Sequence, residues 1–363
     1  MSIDLMLFFF RKPKIFYIDD QQKLDELIEK IWQQTHIAID TEFYRKSTYY
    51  PKLCLIQIEV NKSIFLIDCL CGLDLQGLWQ IIASDKICKI LHSGSQDVQI
   101  FYQYSKQKPQ AIIDTQIMAN FCCLDLDIDF NIGYARLAKK IINKKINKDE
   151  QNSNWQQRPL TSSQIKYAAN DVIDLVKIKE KLEKKLKEKN LYQYLQEEMQ
   201  IFVNDCLNED YSHLINKILN KHNKDQHLQL MNLVIIREKW AKIHNKPRQY
   251  ILPDDTIANL KYPEKLKKLK PEIASDIEAN INNQCDQYYY INNQVAKKQK
   301  ALKKIAQQIA EQKNICPQLL LSNKHMYKII NQGNNLASII GNWRYSLIGI
   351  KLEKTISLWK STL

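Results

Sequence analysis

No two of the nine cysteines in this 363-residue chain are spaced as CxxC. Cys122 and Cys123 are simply adjacent. That excludes the usual zinc knuckle and gives no disulfide framework, so a reducing, cytoplasmic setting is expected. No GxxxxGK[ST] run occurs, which removes the P-loop of a helicase or other nucleotide hydrolase. Long apolar runs are missing as well. The N-terminal one, Leu5 to Phe10, is too short for a signal segment and ends in Arg11-Lys12-Pro13-Lys14. Residues 1–10 read as an extension ahead of the fold, and no membrane partner is expected. Acidic residues are in deficit, 40 against 53 Lys and Arg, for a net charge of +13 and a pI of about 9.1. Such a balance favours a polyanionic partner. What is present is ordinary: a hydrophobic fraction of 45% is ample for real cores, and the length suggests two or three domains.

The first half alternates strand-like and helix-like periods. Lys14–Ile18 reads as a strand and Lys23–Trp32 as a helix with Leu24, Leu27, Ile28 and Ile31 on one face. A strand closes at the Asp40-Thr41-Glu42 dyad, and Leu53–Ile58 and Ile64–Ile67 follow as two strands joined by a turn at Asn61-Lys62. Leu75–Ile82 reads as a helix, Ile87–Leu91 as a strand, Gln96–Tyr104 as a helix and Ala111–Ile113 as a short strand. Asp114-Thr115 then suits the N-cap of a helix toward Phe121. This alternation predicts a mixed sheet flanked by helices. From Thr161 the pattern is helical only. Thr161-Ser162-Ser163-Gln164 is a capping-box start, and Lys177–Lys189 reads as a solvated helix face. The expected division is an α/β domain over 1–195 and two all-α blocks over 198–285 and 295–363. A polar stretch, Asn282–Gln299, serves as linker between those blocks.

Chemistry concentrates in three acidic motifs. In Asp40-Thr41-Glu42 the two carboxylates are two apart, so on a strand they share a face. Like charges held that close repel unless a cation lies between them. Leu91-His92-Ser93-Gly94-Ser95-Gln96-Asp97 brings a third carboxylate. Tyr167 and Asp171, four apart on a helix, bring a fourth and a phenol to one face. Four hard oxygen ligands and a tyrosine suit two divalent ions, Mg²⁺ or Mn²⁺, and hydrolysis of a phosphodiester. Asp40 is the natural bridging ligand, Glu42 and Asp171 hold the ion that activates water, and Asp97 supports the second ion through its water shell. Tyr167 orients the attacking water, because a phenol with a pKa near 10 is a poor base.

These motifs resemble those of the ribonuclease D family, of the DEDD exonuclease superfamily in its tyrosine-bearing subclass. Asp40-Thr41-Glu42-Phe43 is followed by Thr48-Tyr49-Tyr50-Pro51-Lys52-Leu53-Cys54-Leu55-Ile56-Gln57-Ile58. Asp114-Thr115-Gln116-Ile117 and the lead-in Trp155-Gln156-Gln157-Arg158-Pro159-Leu160 also fit. The resemblance implies a ribonuclease-H-like fold with a mixed five- or six-stranded sheet. It places Asp40, Glu42, Asp97 and Asp171 as metal ligands and Tyr167 as the residue that orients water. Thr41, Phe43, His92 and Gln96 are substrate candidates, with a core role open for Phe43 and a buried hydrogen-bonding role open for His92 and Gln96. Arg237-Glu238, Ala241, Asn245, Pro247-Arg248 and Leu252–Asp254 resemble the helicase-and-RNase-D C-terminal (HRDC) helical domain. Leu302, Ala306, Ala310, Pro317–Leu320 and Trp343-Arg344 resemble a second, divergent copy. Trp240 and Trp343 read as core residues rather than stacking platforms. The family's charged residues ahead of Trp155 are replaced by Asn147, Asn152 and Asn154, beside a retained Lys148. The implied activity is a monomeric, cytoplasmic 3′→5′ exoribonuclease that trims the 3′ ends of tRNA precursors. A DNA exonuclease of the same chemistry and an RNA-binding protein without catalysis are the alternatives.

Overall fold

The computed structural model describes residues 13–122, 127, 129–146, 150–208, 211, 214–215, 218, 227–259, 263, 266–283, 293–332 and 335–361. The expectations for residues 1–10 and for Asn147 and Lys148 lie outside them. Six strands form one sheet: β1 Ile15–Ile18, β2 His36–Tyr44, β3 Lys52–Val60, β4 Ser63–Asp68, β5 Cys88–Leu91 and β6 Ile112–Asp114. Their spatial order is β1-β4-β3-β2-β5-β6. β3 runs antiparallel to β4, while β1 is parallel to β4, β2 to β5 and β5 to β6. Helices pack against it, α1 Gln21–Trp32, α2 Gln76–Ala83, α3 Ser95–Ser105, α4 Thr115–Phe121, α5 Tyr134–Ile142, α6 Ser162–Val172, α7 Leu175–Glu188 and α8 Tyr192–Leu207. This is the mixed, ribonuclease-H-like sheet that the resemblance implies.

Local chemistry explains the element ends. Asn61 and Lys62 both take left-handed backbone, φ +51 and +64, which matches a tight two-residue hairpin to the twist of β3 and β4. Thr161 and Gln164 complete a reciprocal capping box at the start of α6. Asp114 ends β6 and also caps α4, one residue later than the strand expected over Ala111–Ile113. The larger difference is at β2. Instead of closing at the dyad the strand continues to Tyr44, because Phe43 and Tyr44 are aromatic residues that favour extended backbone. The dyad therefore sits within a strand, where its geometry is fixed from both sides.

One apolar core lies between the sheet and α1 to α3. Ile37, Ile39, Ile56 and Ile58 meet Leu24, Leu27, Ile31, Leu78, Ile81, Val98 and Phe101, all buried. A second core joins α4, α5, α7 and α8 to the C-terminal helices α13 Asn293–Lys313, α14 Pro317–Leu320, α15 Asn323–Gln332, α16 Leu336–Ile340 and α17 Asn342–Ser361. Trp343 is central to it: its ring lies 5.3 Å from Phe121 and 5.5 Å from Tyr194, and its indole donates to Glu198 at 2.9 Å. The chain thus forms two compact units where the sequence suggested three domains. One comprises 1–43, 53–207 and 297–363, the other 44–52 and 208–296. The block expected as a separate domain over 295–363 shares its core with the α/β domain of 1–195, because neither face would otherwise be covered. Of the linker expected over Asn282–Gln299, residues 293–299 belong to helix α13, while 284–292 lie outside the described residues.

The second unit has its own core of α9 His227–Ile243, α10 Arg248–Ile251, α11 Asp254–Ala258 and α12 Pro271–Asn280, built on Leu230, Leu233, Val234, Ile251, Ile257 and Ile273. Its buried Glu238 accepts from the Tyr49 hydroxyl at 3.2 Å and faces Arg237 and Arg248 at 3.5 and 3.4 Å. Trp240 is half-buried and donates to Asp276 at 2.7 Å, so both tryptophans serve packing. Among the described residues no helix is long and apolar enough to cross a membrane.

Candidate active site

Alternation along β2 sorts its residues. Ile37, Ile39 and Thr41 point into the core between sheet and α1 to α3, while Ala38, Asp40 and Glu42 point to the opposite face. Thr41 is buried and its hydroxyl donates to Asp97 Oδ1 at 2.5 Å. Thr41, expected as a substrate-binding residue, has its hydroxyl on the carboxylate of a neighbouring motif. Phe43 resolves in the same way. It packs half-buried against the core, on the side away from the acids.

The turn that delivers Asp97 is pinned by Asp114. Its Oδ2 accepts from Gly94 N at 2.8 Å, and its Oδ1 from Ser93 N at 3.2 Å and Gln116 N at 2.7 Å. Ser93 is left-handed there, φ +57, and at Gly94 an added Cβ would come within 2.9 Å of Leu91 Cβ. Thr115 completes the turn, donating to the Leu91 carbonyl at 3.0 Å and meeting His92 Nδ1 at 3.0 Å.

Tyr167 and Asp171 are delivered by α6, whose approach is clamped. The Arg158 guanidinium grips Asp68 at 2.5 and 2.6 Å and reaches the Cys54 and Trp155 carbonyls at 2.9 Å. Trp155 is buried beside this clamp with its ring 6.0 Å from Tyr167. Burial works to raise the Asp68 pKa, but hydrogen bonds from Arg158 and Tyr17 hold it well below the usual carboxylate range.

Asp40, Glu42 and Asp171 converge so that one carboxylate oxygen of each lies within 4.8 Å of the others. Asp97 is not part of that triplet, although its charge acts on Asp40 and Glu42. Loss of hydration, then mutual repulsion with Asp97, Asp171 and Glu42, pushes the Asp40 carboxyl well above its ordinary range. Glu42 rises through burial and through repulsion by Asp171 and Asp97, and burial lifts Asp97 to about 6. Clustered carboxylates that resist ionising together are the donor set hard divalent cations take. Tyr167 is raised as well, by burial and by the Asp171 charge and hydrogen bond, so it keeps its proton and acts as a donor.

Asp40, Tyr167 and Asp171 face a cavity of about 230 Å³ whose other walls include His92, Gln116 and Tyr134. His92 is half-buried there, 5.4 Å ring to ring from Tyr134. Gln96 is not in that wall. It sits exposed on α3. Tyr134, whose hydroxyl donates to the Asn170 carbonyl at 3.1 Å, and Gln116 are wall residues that sequence reasoning misses. Gln116 falls in a motif, but nothing in the local sequence around Gly133-Tyr134 marks that tyrosine.

A family model described as a 3′-5′ exonuclease matches residues 15–187, the stretch that holds the sheet and every residue of the acidic cluster. Fold and site together define a nuclease of that class. A curated ribonuclease D from Pseudomonas paraeruginosa is 30% identical over 273 residues, 75% of this chain and 70% of the relative. Another, from a Shewanella species, is 36% identical over 182 residues, 50% of this chain and 46% of that protein's length. The crystal structure of Escherichia coli RNase D, described as an exoribonuclease involved in structured RNA processing, superposes with a TM-score of 0.80. It is 25% identical and covers 95% of this chain and 99% of that one. The chain belongs to the ribonuclease D family.

Proposed function

We propose that this protein is a 3′→5′ exoribonuclease that releases nucleoside 5′-monophosphates and trims tRNA precursors bearing 3′ extensions. Two Mg²⁺ or Mn²⁺ ions are its cofactors. The observation that carries this reading is the convergence of the Asp40, Glu42 and Asp171 carboxylates at a cavity of about 230 Å³ that Asp40, Asp171 and a protonated Tyr167 line. A space of that size admits a chain end more readily than the middle of a duplex.

Asp40, Glu42 and Asp171 would hold the ions, with Asp97 supporting from the Thr41 side. When bound, divalent ions supply charge neutralisation at the phosphate and lower the pKa of water. The Tyr167 hydroxyl orients the attacking water while keeping its own proton. His92 and Tyr134 border the space that the terminal nucleoside fills. Support for RNA over DNA comes from the E. coli relative, an exoribonuclease. The helical segments 198–285 and 295–363 are proposed as HRDC-type regions, the second packed into the core of the catalytic unit.

Matched single strands test the reading. With Mg²⁺, the RNA strand should be shortened from its 3′ end with release of 5′-monophosphates, and the DNA strand much more slowly. Equal or faster hydrolysis of DNA would transfer the assignment to a DNA exonuclease.

A further inference from the structure

Helix α7 carries three stripes with different fates. Leu175, Ile178, Leu182 and Leu186 are buried. Lys179, Glu183 and Lys187 succeed one another four apart, and Glu183 pairs with both lysines, so that stripe neutralises itself. The third stripe holds Lys177, Lys181, Lys184 and Lys185, with Glu180 and Glu188 among them. On α5 and the residues after it, 134–145, five basic residues (Arg136, Lys139, Lys140, Lys144 and Lys145) meet no acidic residue within the segment. Three of them pair outside it, Arg136 with Asp129 at 2.5 Å, Lys140 with Asp127 at 3.8 Å and Lys144 with Asp174. The two helices adjoin, since Lys181 Nζ donates to the Ile141 carbonyl at 3.0 Å.

Residues 134–145 and 175–189 together hold twelve basic and three acidic side chains, an excess of nine in a chain whose net charge is +13. By contrast, segments 44–52 and 208–296 hold sixteen basic against eleven acidic residues. Within the catalytic unit the positive excess is therefore confined to these two segments, since the rest of that unit holds twenty-five basic against twenty-six acidic residues. Its placement is specific too. Tyr134 and Ala135, in the first turn of α5, and Leu175, the first residue of α7, line the active-site cavity. Both helices start at the cavity and lead away from it, α7 for about 20 Å at 1.5 Å per residue.

We propose that the phosphate backbone of RNA upstream of its 3′ end lies along this α5–α7 face. The catalytic unit then grips its substrate by its own surface. The inference rests on the exoribonuclease reading for the direction of the strand. It replaces the solvated-face reading of Lys177–Lys189 for four of those lysines and keeps it for Lys179 and Lys187. An extended single strand offers phosphates at regular spacing, and lysines as point charges engage them without reading sequence.

The test is binding without turnover. Anisotropy of a 5′-labelled single-stranded RNA is titrated in EDTA over a range of salt concentrations. The proteins are wild type, the quadruple variant Lys177→Gln/Lys181→Gln/Lys184→Gln/Lys185→Gln, and a control set Lys246→Gln/Lys267→Gln/Lys268→Gln/Lys270→Gln. Gln is close to Lys in helix propensity, so thermal unfolding should be unchanged. Every phosphate that goes without its lysine lowers the slope of log K against log salt by about 0.7 for a single strand, so the α7 variant should drop by about 2–3 in slope and bind more weakly. The control set should change less. If the α7 variant keeps the wild-type affinity and slope, the proposal is overturned and the face is left to another partner, such as an acidic protein. Hydrolysis of a dinucleotide with Mg²⁺ is measured separately. The α7 variant should match wild type, because a dinucleotide does not reach the face. A wild type that binds RNA but hydrolyses nothing would defeat the exoribonuclease reading and leave the binding result standing.

Discussion

Thr41 shows how one residue between two acids can matter through a third acid far along the chain. Its hydroxyl is the hydrogen-bond partner of Asp97, 56 positions away, and both groups are buried. Thr41→Val should therefore lower kcat with little change in KM, and destabilise the fold by about 1–3 kcal/mol through the unsatisfied buried carboxylate. Kinetics and thermal unfolding check both halves. Tyr167→Phe should lower kcat by about 10²-fold, the order expected for a misplaced reactant, with an unchanged unfolding temperature. The carboxylates also set a pH dependence. Asp40 and Glu42 bind protons more tightly folded than unfolded, so the metal-free protein loses stability as pH rises above the unfolded carboxylate value of about 4. Asp68 has the opposite sign: its contribution is present above that value and is lost as pH falls below it. Mg²⁺ should accordingly raise the unfolding temperature more at pH 8 than at pH 5, where protons compete for the same oxygens. An equal shift at both values would remove the carboxylates as its ligands. At this scale the sequence was legible where spacing is local. Period two aligned Asp40 with Glu42, and period four aligned Tyr167 with Asp171. Thr41's partner and Tyr134's place in the wall depend on chain segments far apart, which no local period reports.

Among the elements, α17 is the informative one. Its sequence reads as part of a separate block, yet Trp343 stacks on Tyr194 and packs tilted against Phe121, and Glu198 accepts from both Trp343 and Arg344. Trp343→Ala should cost about 3–5 kcal/mol, as large-to-small core changes do, and should lower the temperature at which nuclease activity disappears. A purely distal domain would leave that temperature unchanged. The apolar residues of the helix locate it in the sequence, but amphipathic periodicity says only that a face must be covered, never by what. β2 shows the converse. Its first half was plain from the His36–Ile39 run, and the two aromatic residues that carry it on to Tyr44 follow the polar dyad that read as its end.

Across the whole molecule, two compact units carry a sequence that suggested three domains. The mixed sheet was legible because strands and helices alternate with clear periods and turn residues. Which blocks share a core was not, since burial between distant segments leaves no mark on either alone. Charge behaves likewise: the net value of +13 pointed to a polyanion, but its concentration on α5 and α7 beside the cavity is visible only in three dimensions. The central claim is that one acidic cluster built on Asp40 shortens RNA from the 3′ end. A 5′-labelled tRNA precursor with a 3′ extension, incubated with Mg²⁺ and either wild type or Asp40→Asn, tests it most directly. Wild type should give a ladder of progressively shorter products, and Asp40→Asn, with the same unfolding temperature or a higher one, should give none on that timescale. Undiminished trimming by Asp40→Asn would contradict the account.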